Sequence, residues 1–125
     1  MSTAPEHRST HESESDKRNQ SLKVYLNGQI VPREHALVSV YDAGFMLGDG
    51  IWEGIRLYNS KWAFVEDHMD RLYESALLVD MDIPLTREQM IEALDQTATA
   101  NQMTQDVHAR LMITRGLKSK PFQDP

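Results

Sequence analysis

The chain contains no cysteine, which excludes disulfides, thiolate catalysis and cysteine-ligated zinc. No apolar run approaches the ~20 residues that a membrane-spanning helix needs. The N-terminus also lacks the apolar core of a signal peptide, so the cytoplasm is the expected compartment. Positive charge is in deficit, with 13 Lys and Arg against 19 Asp and Glu and a net charge of -6. That balance argues against nucleic acid or an anionic membrane surface as the main partner, while leaving room for a local cationic pocket. Glycine is sparse too, at 6 in 125 residues, and most of it is concentrated in one stretch, Gly44 to Tyr58.

What is present has the makings of one soluble domain, with 40% hydrophobic and 26% charged residues. Met1 to Ser21 holds almost nothing that can be buried and is expected to be a disordered polar tail. His7 and His11 lie four apart in it, but no helical context makes them metal ligands. Order is expected from Leu22. Lys23 to Leu26 and Gln29 to Pro32 flank Asn27-Gly28, a strong hairpin signal. Leu37 to Tyr41 reads as a short extended segment, followed by a loop from Asp42 into a strand at Ile51 to Tyr58. Asn59-Ser60 then turns the chain into a second short strand, Lys61 to Val65.

Helical periodicity takes over with Met69, Leu72, Tyr73, Ala76 and Leu77 on one face, which predicts a helix from about Glu66 to Val79. Asp82-Ile83-Pro84 ends it. Thr86 and Gln89 form a capping box for a second helix, Arg87 to Asn101, with Met90, Leu94, Thr97 and Ala98 inward. Val107 to Arg115 alternates as a last strand, stopped by Gly116. The fold class expected is α+β, a largely antiparallel sheet with two helices packed on one face.

Alternation along Ile51 to Tyr58 separates two chemistries. Ile51, Glu53, Ile55 and Leu57 form a core face with one carboxylate that needs a partner. Trp52, Gly54, Arg56 and Tyr58 form an aromatic wall with a gap at Gly54 and a guanidinium beyond it, suited to lining a pocket for a flat anion. Arg71 stands on the polar side of its helix, within reach of an anion held near the helix N-terminus. It also has Asp67 and Glu74 at ion-pairing spacing. Arg110, in mid-strand between apolar neighbours, is open to two readings: a structural ion pair, with Glu53 as partner, or an arginine facing a substrate. His68 and His108 read as structural, since no carboxylate to orient them appears at motif spacing. Gly48-Asp49-Gly50 lacks the Lys-Ser/Thr of a phosphate-binding P-loop, and no serine-histidine-carboxylate arrangement is legible.

Four segments together carry a resemblance: YLNGQIVP at Tyr25 to Pro32, VSVYDAGFMLGDGIWEGIRLY at Val38 to Tyr58, EDHMDRLYESA at Glu66 to Ala76, and ARLMITRG at Ala109 to Gly116. In order and spacing the region Leu22 to Gly116 resembles the N-terminal domain of the fold-type IV pyridoxal-phosphate enzymes, the class IV aminotransferases. Gly54-Ile55-Arg56 favours the branched-chain amino acid type. The resemblance implies pyridoxal 5'-phosphate (PLP) as cofactor, amino acids and 2-oxo acids as substrates, and a homodimer. It implies that Arg71 contacts the cofactor phosphate and that Leu47, Trp52 and Arg110 bind substrate, with Leu47 reaching toward the neighbouring subunit's site. The D-amino acid enzymes hold the substrate carboxylate with an arginine and a histidine after the last strand, where this chain has Lys118-Ser119-Lys120-Pro121-Phe122 instead. The departure lowers that subtype, and an aminodeoxychorismate lyase is a further family alternative.

The lysine that carries the cofactor in this family belongs to a second domain, and neither Lys118 nor Lys120 stands in a matching motif. The expectation is therefore an N-terminal part of a transaminase, inactive by itself, with no catalytic residue of its own and residues 117–125 beginning the connection onward. The competing expectation, from another class, is a noncatalytic dimerisation or ligand-binding module.

Overall fold

The computed structural model describes residues 16–118. Most of the expected polar tail, the His7 and His11 pair, and Lys120 lie outside them. The elements are β1 (Lys23–Leu26), β2 (Gln29–Pro32), α1 (Ala43–Leu47), β3 (Gly50–Tyr58), β4 (Lys61–Trp62), α2 (Val65–Leu78), α3 (Arg87–Ala100) and β5 (Val107–Thr114). Strands β1 and β2 form a hairpin sheet of their own, while β4, β3 and β5 form an antiparallel sheet in that order.

The hairpin closes at Asn27-Gly28, both with positive φ (50° and 89°), the twist that a two-residue connection requires. In the second sheet β3 pairs with β5 from Gly50↔Thr114 through Leu57↔Val107, so equal parity on the two strands means a shared face. The odd-numbered face carries the core. Ile55 and Leu111 meet Met69 and Leu72 of α2 and Met90 and Leu94 of α3. Burying Ile55, Met69 and Leu72 fully contributes about 1.5 to 3 kcal/mol each. The α+β reading with helices over an antiparallel sheet therefore holds. The capping box is formed as well: Thr86 Oγ1 accepts from Gln89 N at 3.2 Å, and Gln89 Oε1 accepts from Thr86 N at 2.9 Å.

Several local expectations are corrected. A 3-10 turn at Lys17–Ser21 precedes the hairpin, inside the stretch expected to be disordered. It is held by polar contacts, with Arg18 donating to the carbonyls of Gln105 (2.8 Å) and Asp106 (3.1 Å). Leu37 to Tyr41 is not a strand. Asp42 N donates to Ser39 O at 3.1 Å, which turns the chain there. The loop expected after Tyr41 contains α1, capped by Asp42, whose Oδ1 accepts from Gly44 N at 2.8 Å. Strand β4 stops at Trp62, since Val65 already belongs to α2. Leu77 is exposed rather than buried, because the stripe that meets the sheet runs through Met69, Leu72 and Ala76.

Candidate functional site

Strand β3 presents the site residues in two separate groups, one on each face of the sheet. On the helix side Glu53 is 3% exposed, a position where an unpaired carboxylate is costly. Arg71 chelates it, donating from Nε to Oε1 at 2.7 Å and from Nη2 to Oε2 at 2.6 Å. His68 Nδ1 donates to Oε2 at 2.8 Å. Arg71 and His68 sit three apart on α2, the spacing that puts two helical side chains on one face. The guanidinium holds the Glu53 carboxyl below its ordinary value; burial pushes the other way and is outweighed, and the His68 hydrogen bond adds to the lowering.

This arrangement revises three readings. Arg71 pairs with neither Asp67 nor Glu74 but with Glu53. Glu53 is not paired with Arg110, which parity places on the opposite face. His68 does have a carboxylate orienter, contributed by a strand fifteen residues earlier in the chain. The sequence signal was the lone carboxylate on an apolar strand face. The partner stayed hidden because the rotation of α2 over the sheet is decided by core packing.

Arg71 also retains capacity for a ligand. Its side chain is 67% exposed, and among the described residues Nη1 has no hydrogen-bond partner while Nε and Nη2 hold Glu53. A guanidinium fixed on one edge by a buried carboxylate and open on the other suits an oxyanion such as a phosphate group.

The opposite face of β3 carries Trp52, Gly54, Arg56 and Tyr58, with His108, Arg110 and Met112 beside them on β5. Arg110 lies over the Trp52 ring at 4.5 Å and Arg56 over the Tyr58 ring at 5.0 Å, both within cation–π range. Gly54 answers a close approach: a Cβ there would lie 2.7 Å from His108 Nε2. The structure thus brings Trp52 and Arg110 together across the β3 and β5 pairing, a contact that alternation along β3 alone does not predict. Leu47 ends α1 just ahead of the Gly48 to Gly50 turn and is partly exposed. A hollow of ≈ 550 Å³ lined by Leu57, Ser60, Asp95 and Ala98 among others contains none of these residues. Among the described residues no His, Cys, Asp and Glu group is placed to hold a metal ion, and no helix is long and apolar enough to cross a membrane.

The family model described as amino-transferase class IV matches residues 50–124. A putative branched-chain-amino-acid aminotransferase of Methanocaldococcus jannaschii is 45% identical over 96 residues, covering 77% of this chain and 33% of that protein. A D-alanine aminotransferase of Listeria monocytogenes is 39% identical over 99 residues, covering 78% and 34%. The branched-chain aminotransferase of Thermoproteus uzoniensis, solved with norvaline, matches with a TM-score of 0.70 at 34% identity, over 83% of this chain and 35% of that one. The T.th. branched-chain amino acid aminotransferase complexed with N-(5'-phosphopyridoxyl)-L-glutamate gives 0.72 at 28% identity, over 80% and 35%. The chain spans about a third of the length of each of these relatives.

Proposed function

The chain belongs to the amino-transferase class IV family, and from that premise we propose that it is the N-terminal part of a PLP-dependent transaminase that moves the amino group of an amino acid to a 2-oxo acid. The observation that carries the proposal is Arg71, anchored to a buried carboxylate on one edge and open on the other. Its outward Nη1 would hold the cofactor phosphate, while Glu53, itself held by His68, keeps the guanidinium from turning away. PLP, when bound, supplies the carbonyl that takes up the amino group and the ring that accepts electron density from the substrate Cα.

Trp52 and Leu47 would form the apolar wall that receives an aliphatic side chain and keeps water from it. Arg110 offers a planar, bidentate donor for a carboxylate, held over the Trp52 ring. The resemblance assigns the proton shuttle to a lysine of a second domain, so no group named here is asked to move a proton. A homodimer belongs to the same reading. Leu37, Val38, Val40 and Phe45 stand exposed in the stretch of chain that leads to Leu47, the residue expected to reach toward the neighbouring site.

Branched-chain amino acids are the preferred substrate class, because an aromatic ring backs the arginine and Gly54-Ile55-Arg56 has the branched-chain pattern. The D-alanine aminotransferase relative at 39% identity favours a second reading, a D-amino acid transaminase. Assaying the full-length protein against L- and D-amino acids and amines, with 2-oxoglutarate as acceptor, decides between them. Turnover of L-leucine, L-isoleucine and L-valine is expected. Turnover of D-alanine alone would move the assignment to the second reading, and release of pyruvate from aminodeoxychorismate without amino transfer would move it to a lyase.

A further inference from the structure

Thr114, Arg115 and Gly116, where β5 ends, grip α1 at both of its ends. At the first end Thr114 Oγ1 donates to Asp42 Oδ2 at 2.9 Å, and Ala43 N donates to Gly116 O at 2.8 Å. Asp42 caps α1, and a Cβ at Gly44 would run into Thr114 Cγ2. At the other end Arg115 Nε donates to Asp49 Oδ2 at 2.7 Å, and Arg115 N donates to Asp49 O at 3.2 Å. The same guanidinium reaches a third element. Nη2 donates to Val79 O at 2.6 Å and Nη1 to Asp80 O at 2.8 Å, where α2 has just ended with no basic residue in its own last turn. Helix C-termini attract cations.

The clasp matters because α1 has only five residues and a single buried side chain, Ala43. A helix that short does not hold its shape in water by itself, and here little apolar burial helps it. Its position, and with it that of Leu47, depends on the contacts at Asp42 and Asp49. Arg115 also ties the Gly48 to Gly50 turn to α2, the helix that carries Arg71.

We propose that Arg115, acting through Asp49, is the positioning residue that fixes Leu47 and the turn after it as a substrate-specificity wall, in register with the helix bearing Arg71. The proposal deepens the transaminase reading and rests on it for its specificity arm. Its structural arm is independent of activity.

The test uses the full-length protein with Arg115→Ala, Asp49→Asn, Arg115→Lys and, as a control that destabilises elsewhere, Leu94→Ala in α3. Amide hydrogen exchange over Phe45 to Gly50 is expected to quicken about tenfold or more in Arg115→Ala and Asp49→Asn, with partial recovery in Arg115→Lys, which keeps the charge but not the fork. The ratio of kcat/KM for L-leucine to that for L-alanine is expected to fall roughly tenfold in the same two variants, since small displacements of positioning groups carry costs of that order. PLP retention should be unchanged, because Arg71 stands two turns from the contact. If exchange and substrate ratio in Arg115→Ala and Asp49→Asn move no more than in Leu94→Ala, positioning is overturned, whatever happens to Tm. Should Arg115→Ala fail to fold, Asp49→Asn carries the same two requirements. If the wild-type protein transaminates no substrate, the transaminase reading fails, and the exchange result alone upholds or overturns the clasp.

Discussion

Two faces of one strand, β3, lead different lives. Toward the helices, Glu53, Ile55 and Leu57 are sealed in, and the one charge among them is answered by three hydrogen bonds from α2. Toward the other side, Trp52 is 56% exposed and Met112 59%, and among the described residues the arginines there rest on aromatic rings rather than on carboxylates. The helix face of the strand is satisfied within the chain, so its own residues contribute chiefly to stability, and among the described residues a donor for a ligand remains on Arg71, the partner of Glu53. The wall face has spare recognition capacity, and its residues should contribute chiefly to binding.

The contrast breaks most readily at Ile55. Ile55→Ala leaves a cavity under both helices and should cost about 2 to 5 kcal/mol, read by chemical denaturation. A loss below that range would mean that the face is less tightly packed than its burial implies.

Glu53→Gln comes next. It keeps the shape, removes the charge that Arg71 and His68 answer, and should cost about 1 to 3 kcal/mol. Its pH behaviour sharpens the point. Because the folded Glu53 titrates below its ordinary value of 4.5, its stabilisation is complete above that value and is lost as pH falls through the depressed one. Tm measured between pH 6 and pH 3 should fall less steeply in Glu53→Gln than in the wild type. Parallel curves would mean that Glu53 does not contribute the slope.

Arg71→Ala tests whether the two faces serve one reaction. In the full-length protein it should weaken PLP retention about tenfold or more, the scale expected for a lost charge-assisted hydrogen bond. Equilibrium dialysis showing unchanged cofactor affinity would reject the phosphate role.

The smallest expected change in stability is at the wall. Trp52→Ala should shift stability by no more than about 0.5 to 1 kcal/mol, since an exposed ring forfeits little beyond its contact with Arg110. In the full-length protein it should nonetheless raise KM for branched-chain donors severalfold. A large stability loss with unchanged KM would reverse the assignment of the two faces.

Much of this is legible in the sequence. The periodicity of Met69, Leu72 and Ala76 and the Thr86 and Gln89 box located both long helices, because these signals are local. Alternation along β3 separated Glu53 from Trp52 for the same reason. Placing Arg110 beside Trp52 needed the β3 and β5 register, which depends on pairing across more than fifty residues. Finding the partners of Glu53 needed the orientation of α2 over the sheet. Helix α1 was hidden by Gly44 and Gly48, which read as a turn, although Asp42 stood at its cap. The 3-10 turn at Lys17–Ser21 escaped because Arg18 docks through carbonyls, leaving no apolar pattern to detect.

Asn101, just past α3, also reaches a separate sheet. Its amide accepts from Lys23 N at 2.8 Å and donates to Lys23 O at 3.0 Å, the same pair of bonds that a neighbouring strand residue would exchange with Lys23. One side chain therefore imitates a third strand and moors the β1 and β2 hairpin to the helical layer. Aspartate could accept but not donate at this position, and leucine could do neither, so a small N-terminal sheet is berthed by the choice of a carboxamide at one helix end.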